Sequence, residues 1–312
     1  MTNSATERLD VYTAVTNQII AAIEAGAEHP QMPWHRAGGV IERPVNVASK
    51  NAYRGVNTVA LWASAYCQQF DHGLWGTYRQ WQEKGAQVRK GEKSSLIIFY
   101  KDIEPGEQAH SASNDDDERG SRRFIARVSR VFNVAQVDGY TIETPATAQD
   151  RIEPCDLAEK FITATGASIT IGGTSAHYNR RTDTITMPDR FRFTGTKTST
   201  ASEGWYSTLL HELTHWSGAE NRCARTFGER FGDYAYAMEE MVAELGAAFL
   251  CGDLGITIEP RPDHADYIGH WLRILKGDRK AIFTAASAAN KAAEYLKSIA
   301  PIEHREAASA AF

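Results

Sequence analysis

The amino-acid sequence predicts an α+β protein with two domains. The chain has 312 residues, which is more than one domain of ordinary size usually contains. Short apolar runs typical of strands and apolar repeats typical of helices occur in both halves. Residues 146–154 show neither pattern, and we interpret them as a linker. We therefore expect an N-terminal α+β domain at residues 1–145 and a C-terminal domain at residues 155–312.

The first half combines helices with two strong strands. In chain order, its predicted elements are a helix at 9–25, a helix at 58–70, a short helix at 76–85, a strand at 96–100 and a strand at 124–134. Residues 104–121 between the two strands are polar and acidic, and they predict a mobile loop.

The second half is richer in helices. In chain order, its predicted elements are a helix at 156–165, strands at 168–171 and 183–187, and helices at 202–218, 238–249, 267–275 and 281–296. Strands followed by amphipathic helices indicate a second α+β domain.

The pentad His-Glu-Leu-Thr-His at residues 211–215 lies within one of these helical patterns. Because residues four apart share a helix face, His211 and His215 can present two imidazoles to one ion. Glu212 lies one step round the helix, where it can reach a water molecule on that ion. This arrangement is typical of zinc metallopeptidases, in which the glutamate is the general base.

A site of this kind needs a third protein ligand, and the next helix offers several carboxylates. We expect Glu240 to be that ligand. Glu244 shares its helix face and is expected to accept a hydrogen bond from a ligand histidine. Glu239 lies about 100° away, and we expect it to be a solvated charge. Spacing alone leaves His264 and His270 open as alternative third ligands.

This pattern resembles the gluzincin peptidases, which use the HExxH pentad with a glutamate from a following helix. In that group the ligand glutamate is often followed four residues later by an acidic residue, as Glu240 is by Glu244. The metzincin continuation is absent, because no third histidine follows Gly218 at the required position.

Composition excludes several other classes of protein. The net charge of −5 argues against a wholly basic nucleic-acid-binding protein. No apolar stretch is long enough to span a membrane, and the N-terminus has no signal-peptide pattern. The cysteines show no CxxC pairing, and we expect mostly buried thiols in a cytoplasmic protein. They are Cys67, Cys155, Cys223 and Cys251.

Basic residues concentrate in two stretches of the first half. Residues 79–101 contain six basic and two acidic residues, and residues 119–130 contain five arginines and no acid. Aromatic residues lie among them, which is the combination that single-stranded nucleic acid needs. Composition by itself favours a solvated basic face with core aromatics instead. We expect Trp81 and the segment Val131–Val134 to belong to the core.

Longer motifs give the sequence a family resemblance. The first half resembles the N-terminal domain of ArdC-type antirestriction proteins, which is shared with TraC-type plasmid primases. The second half resembles the metallopeptidase domain joined to it. The matching stretches are Pro33–Trp34, Pro44–Asn46, Tyr53–Asn57, Thr77–Gln80, Gly85–Lys93, Val131–Gln136, His211–Gly218, Tyr236–Leu250 and His264–Ile268.

The resemblance implies an N-terminal domain that binds single-stranded DNA without sequence preference. It implies a C-terminal zincin-like, gluzincin-type domain that holds a divalent metal, with zinc as the first candidate and manganese as the alternative. Such proteins protect incoming plasmid DNA from restriction during conjugation. On this basis Arg54, Arg89, Lys90 and Lys93 are expected to contact phosphates, and Tyr78 to stack on a base.

The peptidase hypothesis assigns the metal to His211, His215 and Glu240, with a protein substrate that belongs to a restriction system. An oxyanion donor is still needed, and the sequence does not choose among the candidates. They are Tyr234, Tyr236, His264 and Tyr267.

Two other functions stay open at this stage. The protein could protect DNA by occlusion, with a metal site that is structural or inactive. It could also be a nuclease, although nucleases usually use carboxylate-rich sites with two metals.

Overall fold

A computed structural model of the protein describes residues 10–25, 43–102, 124–142, 154–195, 199–226, 234–256 and 264–302. The acidic segment at 104–121, the linker positions 146–153 and the Pro33–Trp34 motif lie outside these described residues.

The first half contains a four-stranded sheet with helices packed beside it. Its elements are α1 (Val11–Glu24), β1 (Val45–Asn46), α2 (Val56–Gln68), β2 (Leu74–Gly76), α3 (Tyr78–Glu83), β3 (Gln87–Val88), β4 (Ser95–Asp102), β5 (Phe124–Asn133) and β6 (Val137–Asp138). The sheet has the order β1-β2-β5-β4 and is antiparallel except for the β1–β2 pair. Strands β3 and β6 form a separate antiparallel pair.

Side-chain hydrogen bonds fix how these helices join the sheet. Thr77 and Gln80 form a capping box that starts α3. On the outer edge of β4, Asn57 from α2 uses its amide group to donate to the Ile98 carbonyl at 2.7 Å and to accept from the Ile98 N–H at 2.8 Å. These bonds satisfy backbone groups that an edge strand would otherwise expose.

The second half is a three-stranded sheet covered by helices. Its elements are α4 (Pro154–Ala164), β7 (Ser168–Ile171), β8 (His177–Asn179), β9 (Thr184–Met187), α5 (Ala201–Trp216), α6 (Tyr234–Leu254), α7 (His264–Gly277) and α8 (Ala281–Ile299). The sheet order is β7-β9-β8, with β7 parallel and β8 antiparallel to β9. The sequence predicted β7 and β9 but missed β8, because its three residues show no apolar alternation.

The two halves share a hydrophobic core. The largest buried cluster joins α1 and α2 from the first half to α4, α5, α6, α7 and α8 from the second. At this junction the Trp62 ring lies 5.7 Å from the Phe249 ring, between centroids. Arg43 also pairs with Asp253 on α6 at 3.4 Å. Two smaller clusters remain within the first half, and Trp81 and Val131 are buried there as predicted.

The cysteines differ from the prediction. All four are free thiols, but Cys251 alone is buried, whereas Cys67 is exposed and the other two are half-buried. Cys67 lies in the last turn of α2, where the helix reaches the surface. Within the described part of the chain, no helix is both long and apolar enough to cross a bilayer.

Candidate metal centre

Helix α5 carries the pentad, and its start is fixed by a capping box. Thr200 accepts a hydrogen bond from the Glu203 N–H at 3.1 Å, and Glu203 accepts one from the Thr200 N–H at 2.8 Å. The helix therefore begins at Ala201, one residue before the predicted start. Leu209, Leu210 and Leu213 are buried, which holds the helix in the core.

Three potential metal ligands converge between α5 and α6. His211 and His215 lie one turn apart, and their Nε2 atoms are 3.2 Å from each other. Glu240 on α6 places Oε2 3.6 Å from His211 Nε2 and Oε1 3.6 Å from His215 Nε2. Among the described residues, these three side chains form the group whose ligand atoms all lie within 4.8 Å of one another.

The spacing of these atoms fits a tetrahedral ion. A zinc ion with bonds of about 2.0–2.1 Å holds its ligand atoms about 3.3 Å apart. The two Nε2 atoms are 3.2 Å apart, and each lies 3.6 Å from a different oxygen of the Glu240 carboxylate, so these separations are close to that value. Two imidazole nitrogens and one carboxylate oxygen could therefore hold a divalent metal and leave a fourth position open.

Glu239 and Glu244 lie at the Nδ1 atoms of the two histidines, so the Nε2 atoms are the ones that face Glu240. His215 Nδ1 lies 3.1 Å from Glu239 Oε1, and His211 Nδ1 lies 3.6 Å from Glu244 Oε2. Because a carboxylate accepts protons, these contacts favour the tautomer with the proton on Nδ1. The two Nε2 lone pairs then face each other, and a cation between them would relieve that repulsion.

Glu239 contradicts its prediction as a solvated charge. It is 6% exposed, and its Oε1 and Oε2 accept hydrogen bonds from Arg225 at 2.8 and 3.0 Å. The prediction failed because α6 is buried around most of its circumference, so a position 100° from Glu240 does not reach solvent. Arg225 lies in the loop after α5, and no local pattern connects it to α6.

The Glu240 and Glu239 carboxylates of this centre have lowered pKa values and are ionised. Burial raises the pKa of Glu240, but its contacts with His211, His215 and Tyr236 outweigh burial and lower the pKa to about 2. Burial likewise raises the pKa of Glu239, and hydrogen bonds from His215 and Arg225 outweigh it, so the net shift is downward. Anionic carboxylates are the form that binds metal.

The other residues that the sequence predicted for this site lie on α5 and α6 and have different surroundings. Glu212 is 5% exposed within α5, and Glu244 is buried behind His211. Tyr236 interacts with Glu240 one turn before it, whereas Tyr234 donates its hydroxyl to Asp278 at 3.1 Å.

The histidine alternatives on α7 differ in what the structure describes. His270 contacts Arg273 on its own helix and is not in the ligand group. The side chains of His264 and Tyr267 lie outside the described part of the chain.

The predicted DNA contacts are spread over the first half. Tyr78 is 44% exposed, and Gln87 on β3 donates to its hydroxyl at 2.8 Å. Strand β3 leads directly into the turn that carries the exposed Lys90 and Lys93, where Gly91 has a φ of +90°. The structure therefore brings Tyr78 close to this turn.

Arg89 and Arg54 are less available than the two lysines. Arg89 pairs with Glu92 at 2.9 Å and Asp138 at 3.4 Å, which ties it to its own domain. Arg54 is exposed at the start of α2, and its charge acts on Glu294 of α8.

The fold and the centre are those expected of a zincin-like metallopeptidase domain joined to an N-terminal α+β domain. Residues 156–288 match the zincin-like metallopeptidase family MPTase-PolyVal. Residues 9–132 match the N-terminal domain of the anti-restriction factor ArdC. The chain belongs to the ArdC-type antirestriction proteins.

Relatives and solved structures agree with this assignment. The chain is 47% identical over 289 residues to the uncharacterized protein y4eC of Sinorhizobium fredii, covering 92% of this chain and 91% of that protein. It is 32% identical to a DNA primase TraC of Escherichia coli over 91% of this chain, which is 20% of the primase.

Two crystal structures of the antirestriction ArdC protein from plasmid R388, one metal-free and one Mn(II)-bound, superpose with a TM-score of 0.71. They are 37% and 35% identical to this chain, and the match covers 95% of this chain and 100% of each of them.

Proposed function

We propose that this protein binds single-stranded DNA through its first half and hydrolyses peptide bonds at a metal held by His211, His215 and Glu240. The convergence of these three side chains carries the peptidase part of the proposal. Manganese in the R388 relative and the nitrogen-rich ligand set, which suits zinc, support a divalent ion without choosing between the two metals.

The side chains have distinct parts in this reaction. A bound metal would polarise the scissile carbonyl and lower the pKa of a water molecule toward about 7. Glu212, next to His211 on α5, would take the proton from that water and later deliver it to the leaving amine. Glu239 and Glu244 hold the two imidazoles in orientation. We choose Tyr236 as the candidate oxyanion donor, because its side chain hydrogen-bonds with Glu240.

Metal binding tests the centre directly. We expect Glu240→Ala to weaken Zn²⁺ and Mn²⁺ binding by more than the roughly 10–100-fold that follows loss of an outer hydrogen-bond partner. Isothermal titration of the metal-free protein measures this. Glu220→Ala removes the same charge from an exposed position and should leave affinity unchanged. Equal affinities for wild type and Glu240→Ala would remove Glu240 from the site.

The DNA-binding part rests on the family and on the turn after β3. Lys90 and Lys93 are exposed at that turn, and Tyr78 lies beside the strand that leads into it. Cations near an exposed ring suit the phosphates and bases of a flexible strand. We assign Arg54 a lesser phosphate contact, and we assign Arg89 chiefly to holding the turn in place.

Charge reversal at this turn tests DNA binding. The variant Lys90→Glu/Lys93→Glu is expected to bind single-stranded oligonucleotides of different sequence more weakly and to a similar extent. Its affinity should also fall less steeply with salt, because the slope decreases by about 0.7 for each phosphate that is no longer neutralised. Fluorescence anisotropy across salt concentrations measures both effects. An unchanged slope would exclude this turn as a phosphate site.

The proposed biological role rests on membership of the antirestriction family. We propose that the protein acts in the recipient cytoplasm, where conjugated plasmid DNA arrives as a single strand and meets restriction enzymes. The plasmid origin of the R388 relative supports this setting. A component of the restriction system is the proposed peptide substrate.

Protection by occlusion is the second candidate function. His211 and Glu212 are only 4% and 5% exposed, so a peptide must enter a narrow space to reach them. In this alternative the metal stabilises the fold and the DNA-binding surface alone excludes restriction enzymes. A nuclease is less well supported, because the described ligand group has one carboxylate and suits one metal.

A further inference from the structure

A cleft separate from the metal centre lies where α1, α8 and the loop after α5 meet. It has a volume of about 510 Å³, and both halves of the protein contribute to its wall. Among the described residues that line it, three side chains are cationic and none is a carboxylate. The cations are Arg225, Lys280 and Lys291.

Aromatic and hydroxyl groups complete this cleft. Tyr12 of α1 and Phe283 of α8 form an edge-to-face pair with ring centroids 4.8 Å apart. The Lys280 Nζ lies 5.5 Å from the Tyr12 ring centre. Thr284 and Ser287 are exposed on the same wall of α8. Cations, hydroxyls and aromatic rings together match a phosphate ester that carries a base.

The three cations of the cleft occupy different positions in the fold. Arg225 donates to Glu239, Ser217 and the Thr214 carbonyl, so it contributes charge more than free donors. Lys280 is the N-cap residue of α8 and Lys291 lies on that helix; both are exposed and carry the proposed phosphate contacts. Asp278 does not line the cleft; its carboxylate accepts from the Lys280 backbone N–H and from Tyr234.

The structure assigns this cleft as a phosphodiester site for single-stranded DNA, separate from the turn at Lys90 and Lys93. The inference rests on the proposed DNA binding and adds a place where the strand crosses from one half of the protein to the other. Tyr12 lies in the ArdC N-terminal match, whereas Lys280 and Phe283 lie in the zincin-like match.

The cleft also brings the strand close to the metal centre. Arg225 lines this cleft and also lines a larger cleft of about 960 Å³ beside β8. The larger cleft is also lined by His177, Arg180 and Arg181. Glu239 connects Arg225 to His215 through hydrogen bonds at 2.8 and 3.1 Å. DNA held in the smaller cleft would therefore lie beside Arg225. Only Glu239 would then separate it from His215, which is a proposed metal ligand.

The double variant Lys280→Ala/Lys291→Ala in the full-length chain tests the site. Because the variant cannot neutralise two of the phosphates, the slope of log affinity against log salt should fall by about 1.4 in magnitude. The ratio of wild-type to variant affinity should then grow about 25-fold between 1 M and 0.1 M salt. Anisotropy of a labelled single-stranded oligonucleotide measures both quantities.

A matched control separates this site from the general charge of the protein. Lys160→Ala/Lys276→Ala removes the same charge outside the cleft, and its slope should equal that of wild type. Lys276 pairs with Glu24 at the surface, so its loss should cost little stability. A control slope that falls as far as the cleft variant's would overturn the inference.

Three further outcomes are distinguishable. If the cleft variant keeps the wild-type slope while Lys90→Glu/Lys93→Glu loses affinity, DNA binding stands and the cleft inference fails. If the wild type binds no strand at all, the proposed function fails as well. If the cleft variant loses affinity for a nucleoside monophosphate but not for the oligonucleotide, the cleft is a small-anion site and the strand assignment is wrong.

Discussion

Replacing Glu212 with glutamine is expected to lower peptide hydrolysis by about 10²–10⁴-fold while metal binding is retained. Glutamine keeps the size and hydrogen-bonding reach of the side chain in its buried position, but it cannot accept a proton from water. Turnover of a fluorogenic peptide mixture by the Zn²⁺- and Mn²⁺-loaded proteins measures the loss, and metal titration measures retention. Glu220→Gln, at an exposed position, serves as the control.

The same variant separates the two candidate functions. Protection of conjugated DNA in a restricting recipient should be lost with Glu212→Gln if peptide hydrolysis is the protective act. Full protection by a metal-loaded Glu212→Gln protein would instead support occlusion. Equal peptide turnover by wild type and variant would exclude Glu212 as the general base.

Introducing a methyl group at Gly246 is expected to lower the free energy of unfolding by roughly 1–3 kcal/mol. A Cβ at this position of α6 would overlap Thr214 Cγ2 and lie 2.8 Å from Thr214 Oγ1. Thr214 belongs to the pentad and is fully buried, so α6 would have to move away from α5. That movement would also shift Glu240 from His211 and His215, and metal affinity should fall.

Urea unfolding of the metal-free protein measures this cost without the stabilisation that bound metal adds. Thr214→Ala removes Cγ2 and Oγ1, the two nearest of the three atoms that the new methyl group would meet, and leaves the Cβ at 3.2 Å. The Gly246→Ala substitution should therefore cost less in a Thr214→Ala background than in wild type. Equal costs in both backgrounds would show that this contact does not set the spacing of the two helices.

The convergence of His211, His215 and Glu240 could be predicted from the sequence, because each lies on a helix face whose pattern is local. Their binding of a metal stays a prediction. The role of Glu239 was missed because it depends on Arg225, which approaches from a loop 14 residues away along the chain. Strand β8 was missed for a related reason, since its pairing with β9 supplies an order that its own residues do not encode.

The core shared by the two halves was also beyond sequence reasoning. The apolar stripes of α1 and α2 predict that these helices are buried, but a stripe does not specify its partner. The structure pairs them with α6, α7 and α8 across the predicted linker. The expected boundaries at 145 and 155 therefore lie between the two family matches, but the halves on either side of them share one hydrophobic core.

That shared interior constrains how the gene can be rearranged. Recombination that transferred only one half would leave Trp62 or Phe249 without its covering neighbour, and the product would tend to aggregate. The match to the TraC primase spans 91% of this chain and both of its halves, within a protein about five times as long. The two halves therefore occur together in both proteins, although they form a small part of the longer polypeptide.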